Sequence, residues 1–282
     1  MAADTAPDPQ PPSGPELAGL AGLASSVAQE AAELLLARRG HAGVVQTKSS
    51  PTDVVTEMDR AAEELIRRRL LAARPGDTVL GEEGGEIGGS SPRVNTVRWV
   101  VDPLDGTVNY LYGLQDWAVS IAAEAGGVIV AGAVCVPLRR CVFTAVRGGG
   151  AWLESGWQPG RQRLACNTGV MLSSALVATG FGYAASQRAD QGEVVAGVLP
   201  SVRDIRRSGS AATDLCSVAA GQVDAFYEQG LHYWDLAAGE LIAREAGAMT
   251  GGLHGEVAGG DMTIAASPSL FAELHDLIAS LL

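Results

Sequence analysis

From Trp117 to Trp152 come three apolar, β-rich runs broken by Gly126-Gly127, Pro137-Leu138-Arg139 and Gly148-Gly149-Gly150. Breaks of that kind between short β-rich runs predict an antiparallel meander. The rest of the chain must then cover a sheet. Leu17, Leu20, Ala24, Val27, Ala31 and Leu34 recur at three- and four-residue steps, one face of a long helix ended by Gly40. A second helix is predicted from about Thr56 to Ala73, ahead of Pro75-Gly76. "TVLGEEGG" (78–85) reads as a short strand entering a glycine-rich loop, and "RWVVD" (98–102) as another strand. Beyond the meander, strands are predicted at 175–181, 223–228 and 262–267, alternating with helices at 211–220, 235–246 and 269–282. This alternation predicts an α/β (α+β) chain, a sheet covered by helices.

Residues 1–15 hold Pro7, Pro9, Pro11, Pro12 and Pro15 with little apolar content, and are expected to form a disordered tail. An N-terminal α+β half at 16–155 and a C-terminal α/β half at 156–282 follow. The formal net charge is −12, from 20 Lys and Arg against 32 Asp and Glu. That balance argues against phosphate-backbone binding by the bare surface, so no nucleic-acid partner is expected. It suits an enzyme of anionic small molecules only where metal ions or focused basic groups screen the site. Cys135, Cys141, Cys166 and Cys216 form no CxxC pair and sit among apolar or small residues, as reduced buried thiols do. The four histidines lack ligand spacing. No secretory leader and no membrane-length apolar run is visible, so a cytoplasmic, membrane-free protein is expected.

Three acidic clusters fall where a strand is predicted to end or a helix to begin. They are Glu82-Glu83, Asp102-Pro103-Leu104-Asp105-Gly106-Thr107 and Trp234-Asp235. Each alone has an ordinary explanation. Paired glutamates are usually solvated, a D-P-x-D-G run suits a type I turn, and an aspartate opening a helix is usually its cap. Together they suggest something else. Converging carboxylates repel, and desolvation drives them to protonate; hard divalent cations reverse this. Mg²⁺ takes oxygen ligands at about 2.1 Å, keeps several waters, and lets a substrate phosphate complete its shell. Asp102 and Asp105, three apart across a turn, can reach two neighbouring ions. Pro103 fixes one φ and Gly106 permits a sharp return. The amides of Gly106 and Thr107 could then point at an anion.

These motifs resemble those of the inositol monophosphatase family, and most closely its bacterial SuhB-type branch. The resemblance is carried by "GEE" (81–83), "DPLDGTVNY" (102–110) and "WDLAAGELIAREAGA" (234–248). It extends through "KSSPTDVVTEMD" (48–59), "GGGAW" (148–152) and "RRSGSAATDLCSVAAGQVDAFYEQG" (206–230), covering the chain from about residue 20. It implies a five-layered α-β-α-β-α sandwich, a homodimer, lithium sensitivity, and Mg²⁺-dependent hydrolysis of a phosphate monoester with two or three ions per site. Carried over by position, Glu82, Asp102 and the Leu104 carbonyl hold one ion, and Asp102, Asp105 and Asp235 a second. Glu82 helps hold a weaker third. Thr107 and Glu83 orient and deprotonate the attacking water, with Asp59 beside them. The amides of Gly106 and Thr107 hold the phosphate, while Asp105, Gly209, Ser210, Ala211 and Glu228 face the alcohol. Val108 and Tyr110 stand where many members have Thr and Phe, Ser210 where Thr is common, and the loop 84–95 diverges. None of these departures removes a ligand.

The expected activity is that of an inositol-1-monophosphatase. Relatives acting on fructose 1,6-bisphosphate, 3′-phosphoadenosine 5′-phosphate or histidinol phosphate are the rivals, as is an added regulatory binding role. A second phosphate would need a basic pocket, for which Arg206 and Arg207 are candidates; the Tyr227-Glu228 pair favours a polyol.

Overall fold

A computed structural model of the chain describes residues 14–39, 44–47, 54–88, 96–156 and 158–282. The proline-rich residues 1–13, the "KSSPTD" part of the family-like segment and the loop 89–95 lie outside the described residues. The described chain begins with helix α1 (Gly14–Arg38), a small hairpin β1 (Val44–Thr47) and β2 (Val54–Thr56), and helix α2 (Glu57–Ala73). Strands β3 (Thr78–Gly81), β4 (Gly85–Gly88) and β5 (Arg98–Asp105) follow, then the short helix α3 (Thr107–Tyr112). The predicted meander is present as β6 (Ala118–Ala125), β7 (Val128–Val136), β8 (Cys141–Val146) and β9 (Gly150–Ser155), and it continues into β10 (Gln158–Arg163). These strands form one eight-stranded sheet, ordered β10-β9-β8-β7-β6-β5-β3-β4, in which only β3 and β5 pair in parallel.

The second half contains β11 (Leu176–Thr179), α4 (Ala185–Val198), β12 (Asp204–Arg206), α5 (Ala211–Ala219) and β13 (Ala225–Glu228). It ends with α6 (Tyr233–Glu245), β14 (Met249–Gly251), β15 (Thr263–Ala266) and α7 (Pro268–Leu281). Its sheet has the order β12-β11-β13-β15-β14. Helices α1 and α2 pack on one face of the large sheet, and α5 and α6 fill the space between the two sheets. Helix α7 packs on the outer face of the small sheet, with α4 beside it. The result is the five-layered α-β-α-β-α sandwich. Four apolar clusters correspond to the four interfaces between layers. Tyr110 is buried there, meeting Trp117 edge-on at 5.2 Å and donating to the Leu35 carbonyl at 2.7 Å. The hydroxyl that sets it apart from Phe therefore ties α3 to α1. The four cysteines are buried and unpaired. Among the described residues no helix is long and apolar enough to cross a membrane.

Several elements differ from the sequence expectation. Helix α4 was not expected, because "ASQRADQGEVVAGV" buries only Gln191, Val194 and Val198 and shows little periodicity. Strands β12 and β14 have three residues each, too few to display alternation. Strand β5 does not stop at Asp102 but runs through Pro103 to Asp105. Helix α6 starts two residues before Asp235, so that residue lies inside the first turn rather than at the cap.

Candidate active site

Strands β3 and β5 run parallel, so both deliver their C-terminal ends to the same edge of the large sheet. Glu82 follows β3, and its amide bonds the Val101 carbonyl of β5 at 3.3 Å. Within β5, Asp102 lies opposite Ser120 and Asp105 opposite Ala118. Three residues on one strand thus span two on the other, a β-bulge. Strand side chains three apart normally point to opposite faces. The extra residue restores Asp102 and Asp105 to the same side. Pro103, which donates no hydrogen bond, sits in that irregularity, and the Leu104 amide turns inward to Asp102 Oδ1 at 2.9 Å. Gly106 ends the strand at φ 95°, where a Cβ would stand 3.0 Å from the Asp116 carbonyl oxygen. Only glycine fits there without strain.

The N-termini of α5 and α6 and the end of β13 meet the same edge. The cleft between them has a volume of about 540 Å³. Glu82, Asp102, Leu104, Asp105, Gly106, Thr107, Gly209, Ser210, Ala211, Glu228 and Asp235 all line it. Glu83 is not among the lining residues; it follows Glu82 on the loop, and its amide donates to Glu63 at 2.8 Å. Asp59 stands behind Thr107, 1% exposed, and accepts the Thr107 hydroxyl at 2.9 Å. That hydroxyl also lies 3.1 Å from the Leu104 carbonyl.

The electrostatics follow from crowding. Asp102 is 2% exposed. Burial pushes its carboxyl well above the usual range, and the charges of Glu82, Asp105 and Asp235 push it further. Burial raises Asp105 to about 6, opposed by bonds from the Ser210 hydroxyl at 2.7 Å and the Ala212 amide at 2.8 Å, and by Arg207. Glu228 is held well above its ordinary value by burial and by Asp105, Asp214 and Asp235. Asp235 accepts the His232 amide at 2.7 Å across the first turn of α6. Sequence patterning misses several neighbours. Phe181, Tyr183 and Gln187 line the cleft from a segment without a motif. Buried Asp214, raised to about 7, is hidden in the apolar-looking helix α5. His232, an exposed residue just before α6, stacks on Trp234 at 5.0 Å and lines the cleft.

Three carboxylates raising the proton affinity of a fourth, Asp102, form an arrangement that a cation relieves. The donors are all oxygen, which suits a hard divalent ion. Among the described residues no group of three or more His, Cys, Asp or Glu side chains is placed to hold a metal ion by itself; such an ion would need waters or a substrate oxygen to complete its shell.

Comparison with known proteins identifies the family. The model of the inositol monophosphatase family matches residues 16–282. The inositol-1-monophosphatase SuhB of Mycobacterium tuberculosis is 46% identical over 283 residues, covering 96% of this chain and 94% of that protein. The Nus factor SuhB of Escherichia coli is 38% identical over 248 residues, covering 85% and 89%. The solved structure of the extragenic suppressor protein suhB from Bartonella henselae superposes with a TM-score of 0.82 at 35% identity, covering 92% of this chain and 98% of that one. The chain belongs to the inositol monophosphatase family, whose members are phosphatases that generally depend on a metal.

Proposed function

We propose that this chain is a Mg²⁺-dependent hydrolase of phosphate monoesters that converts inositol 1-phosphate to myo-inositol and phosphate. The observation that carries the reading is the mutual crowding of Glu82, Asp102, Asp105 and Asp235 in one cleft. Glu82, Asp102 and the Leu104 carbonyl would hold one Mg²⁺ ion, and Asp102, Asp105 and Asp235 a second, with Glu82 contributing to a weaker third. Bound there, the ions would lower the pKa of the attacking water, neutralise the phosphoryl oxygens and stabilise the leaving alkoxide.

The chain's own groups do the positioning. Thr107 directs its one proton toward Asp59 or the Leu104 carbonyl, which leaves a lone pair of its oxygen to accept from the attacking water. Glu83 takes that water's other proton. The amides of Gly106 and Thr107 bind the phosphate, and Asp105, Gly209, Ser210, Ala211 and Glu228 face the alcohol. Monoester hydrolysis needs an acceleration of up to ~10²¹-fold. General acid–base work supplies only ~10²–10⁴ of it. Stabilisation of charge therefore dominates, in keeping with a site made of carboxylates.

Glu228 supports a polyol over a second phosphate, because a carboxyl at the alcohol end hydrogen-bonds hydroxyls and offers no positive charge to a further anion. Arg207 lines the same cleft and is the group that would serve the second phosphate of a bisphosphate instead. The protein acts in the cytoplasm as a homodimer in this reading. The name of the Escherichia coli relative supports an added regulatory binding role as the second reading. Phosphate release across inositol 1-phosphate, fructose 1,6-bisphosphate, 3′-phosphoadenosine 5′-phosphate and histidinol phosphate, with and without Mg²⁺, tests the proposal. Preference for a bisphosphate would reassign the substrate. Absence of release from all four would leave the binding role.

A further inference from the structure

The glycines of Gly81-Glu82-Glu83-Gly84 are explained by what packs against them. A Cβ on Gly81 would stand 2.4 Å from Glu63 Oε2. One on Gly84 would stand 3.0 Å from Glu63 Oε1 and 2.9 Å from Arg67 Nη2. The Glu63 side chain is 5% exposed. Its two oxygens accept separately, Oε2 from the Glu83 amide at 2.8 Å and Oε1 from the Gly84 amide at 2.9 Å. Arg67, one turn further along α2, approaches Oε1 to 2.8 Å and donates to the Gly85 carbonyl at 2.6 Å. Three consecutive backbone units of the loop are thus fastened to one face of one helix.

The same face holds the other loop. Asp59 lies one turn before Glu63 and accepts the Thr107 hydroxyl. Residues four apart on a helix are neighbours on its surface. Helix α2 therefore grips the loop after β3 and the turn after β5 at adjacent points of a rigid element. A buried ion pair contributes little net stability compared with packed apolar groups of the same volume. Here two nitrogens of the guanidinium, Arg67 Nε and Nη1, are also buried without a partner. Stability is a weak explanation for the pair; control of the loop's geometry is a better one.

We propose that Glu63 is a positioning residue for the reaction. Through the backbone of Glu83 and Gly84 it sets the carboxylates of Glu82 and Glu83 in register with Asp102 and Thr107, and Arg67 braces it. This rests on the proposed reading of Glu82 as a metal ligand and Glu83 as a base. Loss of a contact behind a metal ligand typically lowers metal affinity or activity about 10–100-fold.

The test is calorimetric titration of Mg²⁺ into the full-length wild type and Glu63→Gln, with kcat and KM for inositol 1-phosphate measured at saturating Mg²⁺. Glutamine turns one acceptor into a donor facing an amide and loses the pair with Arg67. A Kd for Mg²⁺ raised about tenfold or more, with a lower kcat and a KM within about twofold of wild type, is expected. Asp77→Asn is the control. Asp77 is as buried and fastens the Val97 amide and the Trp99 indole at the opposite end of β3, away from the cleft. It should lower the melting temperature and leave the Kd for Mg²⁺ alone. An unchanged Kd in Glu63→Gln, or an equal rise in Asp77→Asn, overturns the proposal. Should Glu63→Gln not fold, Arg67→Met decides by the same titration. A Kd raised several-fold supports the brace and an unchanged Kd overturns it. A wild type that binds no Mg²⁺ removes the metal reading itself, and the proposal with it.

Discussion

Asparagine at position 235 separates a helix-capping role from a metal-binding one. Asp235 is the third residue of α6 and accepts the His232 amide at 2.7 Å. Asp235→Asn keeps an oxygen for that amide. The bond changes from charge-assisted to neutral, a loss of about 1 kcal/mol. Removing a negative charge from a helix N-terminus costs another ~0.3–1 kcal/mol. Against this, the charge at 235 is one of those raising Asp102 and Glu228, so its removal relieves repulsion. The metal-free variant should therefore melt within a few degrees of wild type, since about 1 kcal/mol moves Tm only ~2–4 °C in a chain of this size. Turnover should behave differently. The proposed second ion loses a charged ligand and keeps a neutral oxygen, which a hard cation holds less strongly. The rate of phosphate release should fall by more than the ~10–100-fold typical of contacts behind a ligand. The Mg²⁺ concentration for half-maximal rate should rise. The assay pairs a metal-free melt with Mg²⁺-titrated phosphate release. A variant with normal rate and normal Mg²⁺ dependence would confine Asp235 to helix capping.

The metal-free protein should lose stability as pH rises from about 4 to 7. Asp105, at about 6, and Asp214, at about 7, have folded values above their ordinary 3.8, so the folded chain holds protons that the unfolded chain has released. Melting temperatures at pH 5 and 7.5 check the sign, and a higher Tm at pH 7.5 would contradict it. Glu228→Gln should flatten discrimination among sugar alcohol phosphates while sparing an aryl phosphate. Equal losses in kcat/KM on both would place Glu228 with the metals or the fold.

The layering was legible because its signals are periodic: the α1 stripe, the meander breaks and the alternation after residue 175 predict helices on sheets. The acidic clusters were legible as candidates, since each falls at an element boundary. Their convergence was not. It depends on β3 and β5 being parallel neighbours and on a bulge at Pro103, and pairing register leaves no mark in local composition. Glu63 shows why other parts of the site stay hidden. In sequence it is one acid in a helix of charged residues, and its two amide partners are 20 and 21 positions away. Helix α4 was missed for the opposite reason, since so little of it is buried that no apolar stripe is needed.

In the proposed reaction four carboxylates in one cleft hold Mg²⁺ against a phosphate monoester. Phosphate release from inositol 1-phosphate by the chelator-stripped protein, before and after Mg²⁺ is restored, addresses it most directly. Negligible release from the stripped protein and recovery on adding Mg²⁺ are expected. Undiminished release in excess chelator would contradict the metal reading.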